Sequence, residues 1–222
     1  MNFDNEEIIA LINKKKLFIF DFDGVIADSI DIKTNAFFKM YSRYGDKIAK
    51  KVIEYHKSNG GMSRFEKFKF FQEKLLNQPI NSFEIDMLSK EFSNIVIQDV
   101  IHSPEINGST EFIMKYCANN NCDINSATPQ EEIETIVKKR GIRKFFRNVF
   151  GSPSSKYDNL LKSINKSDKS DAIFIGDAEA DLFASKQIGI DFLGIGENIQ
   201  SKIDKNNGSN FAVKNFLSLN ND

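Results

Sequence analysis

The sequence predicts an α/β fold, in which a doubly wound, Rossmann-like parallel sheet carries an inserted all-helical domain. Two observations predict this class. From residue 122 onward, strand and helix patterns alternate at the spacing of βαβ units, which favours a parallel sheet. Before that point, a continuous apolar run at residues 17–22 has the pattern of a buried strand, and residues 23–121 show almost no further strand pattern. A crossover needs only about a dozen residues, so the excess indicates an insertion.

The alternating part of the chain begins with a weak strand pattern at residues 122–127. Residues 128–131 (TPQE) then read as a capping box with proline at the first helical position, and Gly141 ends that helix. The remaining strands are predicted at residues 146–152, 172–178 and 191–196, with helices around 157–164 and 181–189 between them.

The insertion consists of four helical patterns, at residues 30–45, 46–58, 63–76 and 83–100. We therefore expect a core formed by residues 1–29 and 104–222 and a helical cap formed by residues 30–103. The hinges between them are expected near residues 28–30 and 102–105.

The overall charge excludes some classes of partner. The 222 residues contain 30 basic and 31 acidic side chains, a formal net charge of −1, so no global field attracts nucleic acid or an anionic membrane. The local basic cluster at residues 138–147 (KKRGIRKFFR) is interpreted as a solvated helix end. No apolar run approaches the ~20 residues that span a bilayer. We therefore expect neither nucleic acid nor a membrane as a partner, and the oligomeric state is not predicted.

The cysteines and the N-terminal residues favour a cytoplasmic location. Cys117 and Cys122 lack a partnering histidine pattern, so we expect neither a zinc site nor a disulfide, as in a reducing compartment. The first residues carry acids early and only a short apolar stretch, unlike a secretory signal.

Polar side chains follow each strand of the predicted sheet, where ligands bind in open α/β folds. These are four carboxylates, one hydroxyl and one ammonium: Asp21, Asp23, Asp177, Asp181, Ser126 and Lys156. So many carboxylates facing one lysine cannot all stay ionised without a divalent cation. Because the ligands are all oxygens, Mg²⁺ fits best.

The same residues suit phosphoryl transfer. A carboxylate beside a metal-held phosphate can attack phosphorus, and a second carboxyl two residues on can protonate the leaving alkoxide and later activate water. A hydroxyl and an ammonium can hold the phosphoryl oxygens. Two other interpretations of the Asp21–Asp23 pair fail: an EF-hand loop lacks its later acidic ligand, and a receiver-type signalling domain has no helical insertion after its first strand.

Four segments of the chain resemble the ordered motifs of the haloacid dehalogenase-like (HAD) hydrolase superfamily. They are DFDGVIADS (21–29), INSATP (124–129), GSPSSK (151–156) and IGDAEAD (175–181). The resemblance covers essentially the whole chain and includes a helical cap of the first type. It implies that Asp21 is the nucleophile, Asp23 the general acid/base, and that Ser126 and Lys156 bind the phosphoryl group. It also implies that Asp21, Asp23 and Asp177 hold Mg²⁺, with Asp181 supporting from nearby.

The resemblance implies an Mg²⁺-dependent phosphatase that acts through an aspartyl-phosphate. Its expected partner is a small phosphorylated metabolite, a phosphomonoester that is either a sugar phosphate or a phosphorylated small acid. Asp23 favours a phosphomonoester, because the dehalogenase and phosphonatase branches lack a carboxylate there. A phosphosugar mutase of the β-phosphoglucomutase type is the alternative, and a non-catalytic binding or signalling protein of the same fold is a weaker one. Two departures from the usual pattern, Ala178 and Asn125, remove no catalytic group.

The cap contains one candidate for substrate selection. Gly60 and Gly61 allow a tight turn that can reach over the catalytic face, and Arg64 would then bind a second anionic group of the substrate. Alternatively, Arg64 and Lys67 form a solvated helix face that pairs with Glu66. The sequence leaves both interpretations open.

Overall fold

The protein was analysed as a computed structural model that describes residues 4–118, 121–165, 168–203 and 210–220. Within these residues a single sheet of six parallel strands forms in the order β3-β2-β1-β4-β5-β6. The strands are β1 (Leu17–Phe20), β2 (Cys122–Pro129), β3 (Asn148–Ser152), β4 (Ala172–Gly176), β5 (Asp191–Ile195) and β6 (Asn210–Val213). The predicted doubly wound α/β fold is confirmed.

Strand β1 lies at the centre of this sheet, between β2 and β4. Phe20 pairs with Ile124 on one side and with Ile175 on the other. The strand order reverses at β1, which makes the carboxyl ends of β1 and β4 a topological switch point, where open α/β sheets bind ligands. The side chains that follow these strands therefore converge on one crevice.

Helices cover both faces of the sheet. Phe18 and Phe20 belong to one buried apolar cluster, whereas Leu17 and Ile19 belong to another, as the two-residue period of a strand requires. All four side chains of β1 are buried, so its continuous apolar sequence is explained. The helices outside the cap are α1 (Asn5–Ile12), α6 (Ser109–Tyr116), α7 (Gln130–Lys139), α8 (Lys156–Ile164), α9 (Glu179–Ile188), α10 (Glu197–Gln200) and α11 (Leu217–Asn220).

The predicted insertion is all-helical. It contains α2 (Ile30–Tyr41), α3 (Asp46–Ser58), α4 (Arg64–Phe70) and α5 (Ser82–His102), with a 3₁₀ turn at Ser42–Tyr44 and a π turn at Phe71–Leu75. Its core is aromatic: Phe37 lies within 5.6 Å of the rings of Phe68 and Phe71 and 4.4 Å from that of Phe92, measured between ring centroids. These rings pack together within the insertion, and they belong to the same buried apolar cluster as Phe18 and Phe20 of the sheet.

Two linkers join the cap to the core, and they run side by side. The backbone N–H of Asp28 donates to the carbonyl of Pro104 (2.9 Å), and that of Ile106 donates to the carbonyl of Ile26 (3.1 Å). These contacts lie beside the expected hinges. The division at residues 29/30 and 103/104 stays a prediction about independent folding units.

The basic cluster at residues 138–147 is largely engaged within the fold. Arg140 donates to the carbonyls of Val100, Ile101 and Ser103 at the end of α5. Arg143 pairs with Glu134, and Arg147 with Asp123. None of the helices in the described ranges is both long enough and apolar enough to cross a membrane.

The expectation that the cysteines form no disulfide is wrong. Cys117 and Cys122 are buried and form a disulfide across a sequence separation of five residues. The end of α6 and the start of β2 bring their Cα atoms within 5.4 Å, a separation that a disulfide spans. The cysteines therefore no longer support the prediction of a reducing compartment.

Candidate active site

The two aspartates after β1 line a cavity of about 770 Å³ between the core and the cap. The backbone N–H of Asp21 continues the sheet by donating to the carbonyl of Ile175 (2.8 Å), and the N–H of Phe22 donates to Asp21 Oδ1 (2.6 Å). Phe22 is fully buried. The strand thus ends by turning Asp21 and Asp23 to the cavity and the residue between them to the core, as the sequence predicts.

Lys156, the first residue of α8, contacts two of the expected carboxylates. Its Nζ lies 2.7 Å from Asp21 Oδ2 and 2.5 Å from Asp181 Oδ1. Burial alone would lower the pKa of Lys156, but these carboxylates raise it above its usual value. The side-chain amide of Asn125 donates to the Lys156 carbonyl (2.8 Å) and so fixes the start of α8. The unusually polar β2 thereby positions the lysine.

Three carboxylates converge beside Lys156. Asp21, Asp177 and Asp181 each offer an oxygen, and these oxygens lie within 4.8 Å of one another. Burial raises the pKa of Asp21 to about 7, with Asp181 and Asp23 adding to the rise and Lys156 opposing it. Burial, Asp21 and Asp181 also raise the pKa of Asp177 well above its usual value. The cluster has more negative charge than one ammonium can balance, and an all-oxygen donor set of this kind fits Mg²⁺.

The close approach of Gly24 is part of this geometry. A Cβ at Gly24 would lie 2.5 Å from Asp177 Oδ2, and its φ of +79° is the left-handed region that favours glycine. The glycine therefore lets the chain after β1 pass against the carboxylate that follows β4.

Asp23 has a different environment. Its carboxylate accepts hydrogen bonds from the hydroxyls of Ser29 (2.6 Å) and Thr128 (3.1 Å) and forms an ion pair with Lys33. Burial would raise the pKa of Asp23, but the Lys33 ammonium and these hydrogen bonds outweigh burial and hold the pKa below its usual value. Asp23 is consequently set as a carboxylate, the form that a general base requires.

The end of β2 carries two hydroxyls, of which that of Thr128 lines the cavity and that of Ser126 lies behind the lining residues. Ser126 is buried, and its Oγ accepts from the backbone N–H of Thr128 (3.1 Å). The predicted capping box at residues 128–131 is wrong: α7 starts after Pro129 without a side-chain cap. The Thr128 hydroxyl is occupied instead by Asp23 and by Lys33 Nζ (2.7 Å).

On the cap side, Arg64 is buried and forms a two-pronged ion pair with Glu132 of α7. Nη2 lies 2.6 Å from Oε1 and Nη1 lies 2.8 Å from Oε2, and Ser93 of α5 contacts both side chains. Glu66, the alternative partner, instead closes a capping box with Ser63 at the start of α4. Arg64 lines the cavity, but its charge is already balanced across the cap–core boundary.

The glycine turn of the cap reaches the catalytic side of the core. A Cβ on Gly60 would lie 3.2 Å from the Cβ of Ala178, and one on Gly61 would lie 3.0 Å from the Cβ of Ala180. The small residues after β4 therefore allow the turn to pack directly over the segment that carries Asp177.

Comparison with known proteins decides the family. Residues 18–195 match the family described as haloacid dehalogenase-like hydrolase. The chain belongs to this family. A search of curated protein sequences finds no match.

Solved structures share the fold of this HAD-like hydrolase at low identity. They include β-phosphoglucomutase from Clostridium difficile (21% identity, TM-score 0.71, covering 93% of this chain and 92% of that one). CbbY from Rhodobacter sphaeroides, in complex with phosphate, is 13% identical (TM-score 0.69, 91% and 95% covered). The HAD hydrolase YfnB from Bacillus subtilis, bound to magnesium, is 15% identical (TM-score 0.67, 93% and 99% covered). At these identities the likeness shows the fold.

The metal ligands expected for the HAD-like hydrolase differ in two respects from the observed cluster of carboxylates. Asp181, expected to support the metal from nearby, contributes to the group of converging oxygens together with Asp21 and Asp177. The Asp23 side chain lies with Lys33 and Thr128 instead. Direct ligation of Mg²⁺ by Asp23 stays a prediction.

Among the polar residues that line the cavity of this HAD-like hydrolase, sequence reasoning gave no site role to Lys33, His56 or Lys67. Lys33 lies four residues after Ser29, one turn along α2, so both contact Asp23 from one helix face. That spacing was a usable signal. Lys67 lies three residues after Arg64 and shares its face of α4, but nothing in the sequence showed which face would meet the cavity.

Proposed function

We propose that this HAD-like hydrolase is an Mg²⁺-dependent phosphatase that hydrolyses a small phosphomonoester through an aspartyl-phosphate on Asp21. The observation that carries the proposal is the setting of Asp21. Its carboxylate contacts the Lys156 ammonium and lies beside the carboxylates of Asp177 and Asp181, with Asp23 two residues away at the same cavity.

The first step is attack on phosphorus by a carboxylate oxygen of Asp21. The group must be ionised, and burial together with neighbouring carboxylates works against this, whereas Lys156 favours it. Mg²⁺, held by Asp21, Asp177 and Asp181, would supply positive charge that neutralises the phosphoryl oxygens and the nucleophile's surroundings. The N–H of Phe22 and the Lys156 ammonium fix the orientation of the Asp21 carboxylate.

Asp23 is assigned the proton transfers. It would protonate the leaving alkoxide in the first step and, as a carboxylate, activate the water that hydrolyses the aspartyl-phosphate. Its contacts with Ser29, Lys33 and Thr128 favour the carboxylate, which suits the second step directly. For the first step Asp23 must hold a proton, so the Lys33 contact has to weaken when the substrate is bound.

Ser126 and Lys156 are assigned to the phosphoryl oxygens. The Ser126 oxygen accepts from the Thr128 backbone, which leaves the hydroxyl hydrogen to donate to the substrate. Lys156 supplies charge-assisted hydrogen bonds to the transferring group.

The cavity supports a small substrate. Its volume of about 770 Å³ lies within the range of about 300–1,000 Å³ that is typical of sites for small molecules. Residues of α2, α3 and α4 line it opposite the catalytic aspartates, so the cap would exclude water and select the part of the substrate beyond the phosphate.

The test is hydrolysis of p-nitrophenyl phosphate by wild type and by Asp21→Asn, with Mg²⁺ and with a chelator. We expect Asp21→Asn to lower kcat by on the order of 10⁴ or more, because the nucleophile is lost, and the chelator to abolish wild-type turnover. Asp86→Asn, an exposed aspartate on α5, is the matched control and should keep wild-type activity. Retained turnover in Asp21→Asn would rule out the nucleophile assignment.

The mutase alternative is separated by the fate of the phosphoryl group. With sugar phosphates as substrates, a phosphatase releases inorganic phosphate, whereas a mutase returns the phosphoryl group to the sugar and gives an isomeric sugar phosphate. Measuring both products in one reaction decides between them.

A further inference from the structure

The cap side of the cavity contains a buried lysine side chain that forms no salt bridge with a carboxylate in the described ranges of the chain. Lys67 of α4 is 4% exposed and lines the cavity. Its Nζ lies 3.0 Å from Nδ1 of His56 and 6.0 Å from the centroid of the Phe37 ring. Among the residues that the structure describes, no Asp or Glu forms a salt bridge with it.

The other cations around the cavity differ from Lys67 in this respect. Lys33, Arg64 and Lys202 each form an ion pair, with Asp23, Glu132 and Glu179 respectively. Lys57 also lines the cavity, but it is exposed and keeps its hydration. Lys67 therefore combines burial with an unbalanced charge.

His56 does not supply the missing charge. Burial, together with the nearby Lys67 and Lys33, lowers the pKa of His56 to about 3, so the ring is neutral near pH 7. Its Nδ1 accordingly accepts a hydrogen bond from Lys67 and directs the ammonium, but it does not balance it.

We propose that Lys67, oriented by His56, binds a second anionic group of the substrate, a carboxylate or a second phosphate, at the end remote from the phosphoryl group that reacts with Asp21. This inference rests on the proposed phosphatase function and narrows its substrate class. The role that the sequence suggested for Arg64 passes to Lys67, because Glu132 already balances Arg64.

The physical reason is the cost of an unpaired buried charge. An ammonium taken out of water is unfavourable unless an opposite charge or several hydrogen bonds replace its hydration. Burial and Lys33 lower the pKa of Lys67 to about 7, and the opposing effects of Asp23 and Glu66 do not compensate for them. An anion bound there would restore the charged form. A neutral hydroxyl would accept one hydrogen bond from Lys67 without balancing its charge. The site should therefore prefer a substrate with an anionic group to one with a hydroxyl at the same position.

The test uses pairs of phosphomonoesters that differ mainly in the remote charge. 3-Phosphoglycerate and glycerol 3-phosphate differ by a carboxylate in place of a hydroxymethyl group, and fructose 1,6-bisphosphate and fructose 6-phosphate differ by a second phosphate. For each compound we would measure kcat/KM, and also the inhibition constant against p-nitrophenyl phosphate, which requires no turnover of the compound. The pair that shows the larger preference identifies the carboxylate or the phosphate as the anion.

The expected result is a preference of the wild type for the anionic member of at least one pair by about ten- to a hundredfold, the range for a hydrogen bond to a charged group. Lys67→Gln should remove this preference through KM or the inhibition constant, with a loss for the anionic member of the pair that the neutral member does not share. Lys67→Arg should keep part of the preference. Lys69→Gln removes the same charge from an exposed position on α4 and should change nothing.

Thermal denaturation separates binding from folding. Since Lys67→Gln removes a desolvated charge, we expect its Tm to equal or exceed that of the wild type. If its Tm is lower, Lys67→Met replaces Lys67→Gln in the binding measurements. Two results would overturn this inference alone, provided that the wild type hydrolyses p-nitrophenyl phosphate. The first is equal kcat/KM values and inhibition constants for both members of every pair in the wild type. The second is an equal loss of kcat/KM for both members in Lys67→Gln. A wild type that hydrolyses no phosphomonoester would overturn the proposed function and this inference with it.

Discussion

At the scale of single residues, the two aspartates after β1 have opposite electrostatic environments although one residue separates them. Burial and neighbouring carboxylates raise the pKa of Asp21 to about 7 against the effect of Lys156, whereas Lys33 and hydrogen bonds hold the pKa of Asp23 below its usual value despite burial. Paired titratable groups whose surroundings push their pKa values apart are typical of sites that divide nucleophilic and proton-transfer roles.

Lys33 offers a direct test of this division. Because its ammonium lowers the pKa of Asp23, Asp23 stays a carboxylate as the pH falls, and Lys33→Met should raise that pKa. The acidic limb of the pH profile of kcat should then move to higher pH, since the base form of Asp23, which activates water in the second step, is lost earlier. The measurement uses p-nitrophenyl phosphate, whose leaving group needs little protonation, so that the base role of Asp23 dominates.

The control for Lys33 is Lys39→Met, which removes an exposed lysine of the same helix. Its pH profile should overlay that of the wild type. If Lys33→Met has normal activity at higher pH and an unshifted acidic limb, then Asp23 is not the group whose pKa sets that limb, and the assignment is contradicted.

At the scale of elements, the strand ends were predictable because they depend on local patterns. The apolar run before Asp21 and the run before Asp177 each predict a buried strand, and parallel strands bring their carboxyl ends to one edge. The side chains at those ends therefore converge whatever the details of the loops.

Other features depended on contacts between distant segments and were missed. The residues at 128–131 fit a capping box, but the Thr128 hydroxyl is occupied by Asp23 and Lys33, which lie about a hundred positions earlier in the chain. The sequence likewise suggested Glu66, on the same helix, as the partner of Arg64, whereas the structure pairs Arg64 with Glu132 of α7. Neither contact can be predicted from the nearby sequence, because each depends on how the cap packs against the core.

The Arg64–Glu132 pair permits a test of that arrangement. Arg64→Met leaves a buried carboxylate without its partner and should lower the free energy of unfolding by about 3–5 kcal/mol. Adding Glu132→Leu removes the second charge and should restore most of the loss. Denaturant unfolding of both single variants and the double variant measures the coupling.

The same variants distinguish a structural pair from a substrate ligand. If Arg64 instead bound the substrate, the double variant would regain stability but keep a raised KM for anionic substrates. Full recovery of both stability and KM is the result expected for an ion pair that joins the cap to the core.

At the scale of the whole molecule, the site depends on two bodies that are joined by adjacent linkers. Arg140 of the core holds three carbonyls at the end of α5, so one linker is fixed where the cap chain returns. The cap contributes Lys33, Arg64 and Lys67 to the cavity and the core contributes the catalytic aspartates, so the complete site requires both parts of the chain. A metal at the core cluster should accordingly affect the stability of the molecule as well as its activity.

Mg²⁺ should stabilise the protein, and more strongly at higher pH. The raised pKa of Asp21 means that the folded protein without metal favours the protonated carboxyl, so this contribution to stability is present below the unfolded pKa of about 4 and is lost as the pH rises to about 7. A divalent cation binds the ionised carboxylates and reverses the loss. We therefore expect the rise in Tm on adding Mg²⁺ to be larger near pH 8 than near pH 5.

Asp177→Asn should raise the Tm of the metal-free protein, because one repelling carboxylate is gone, and should diminish the response to Mg²⁺. An Mg²⁺ response of equal size at both pH values, or one unchanged in Asp177→Asn, would show that the ion binds elsewhere.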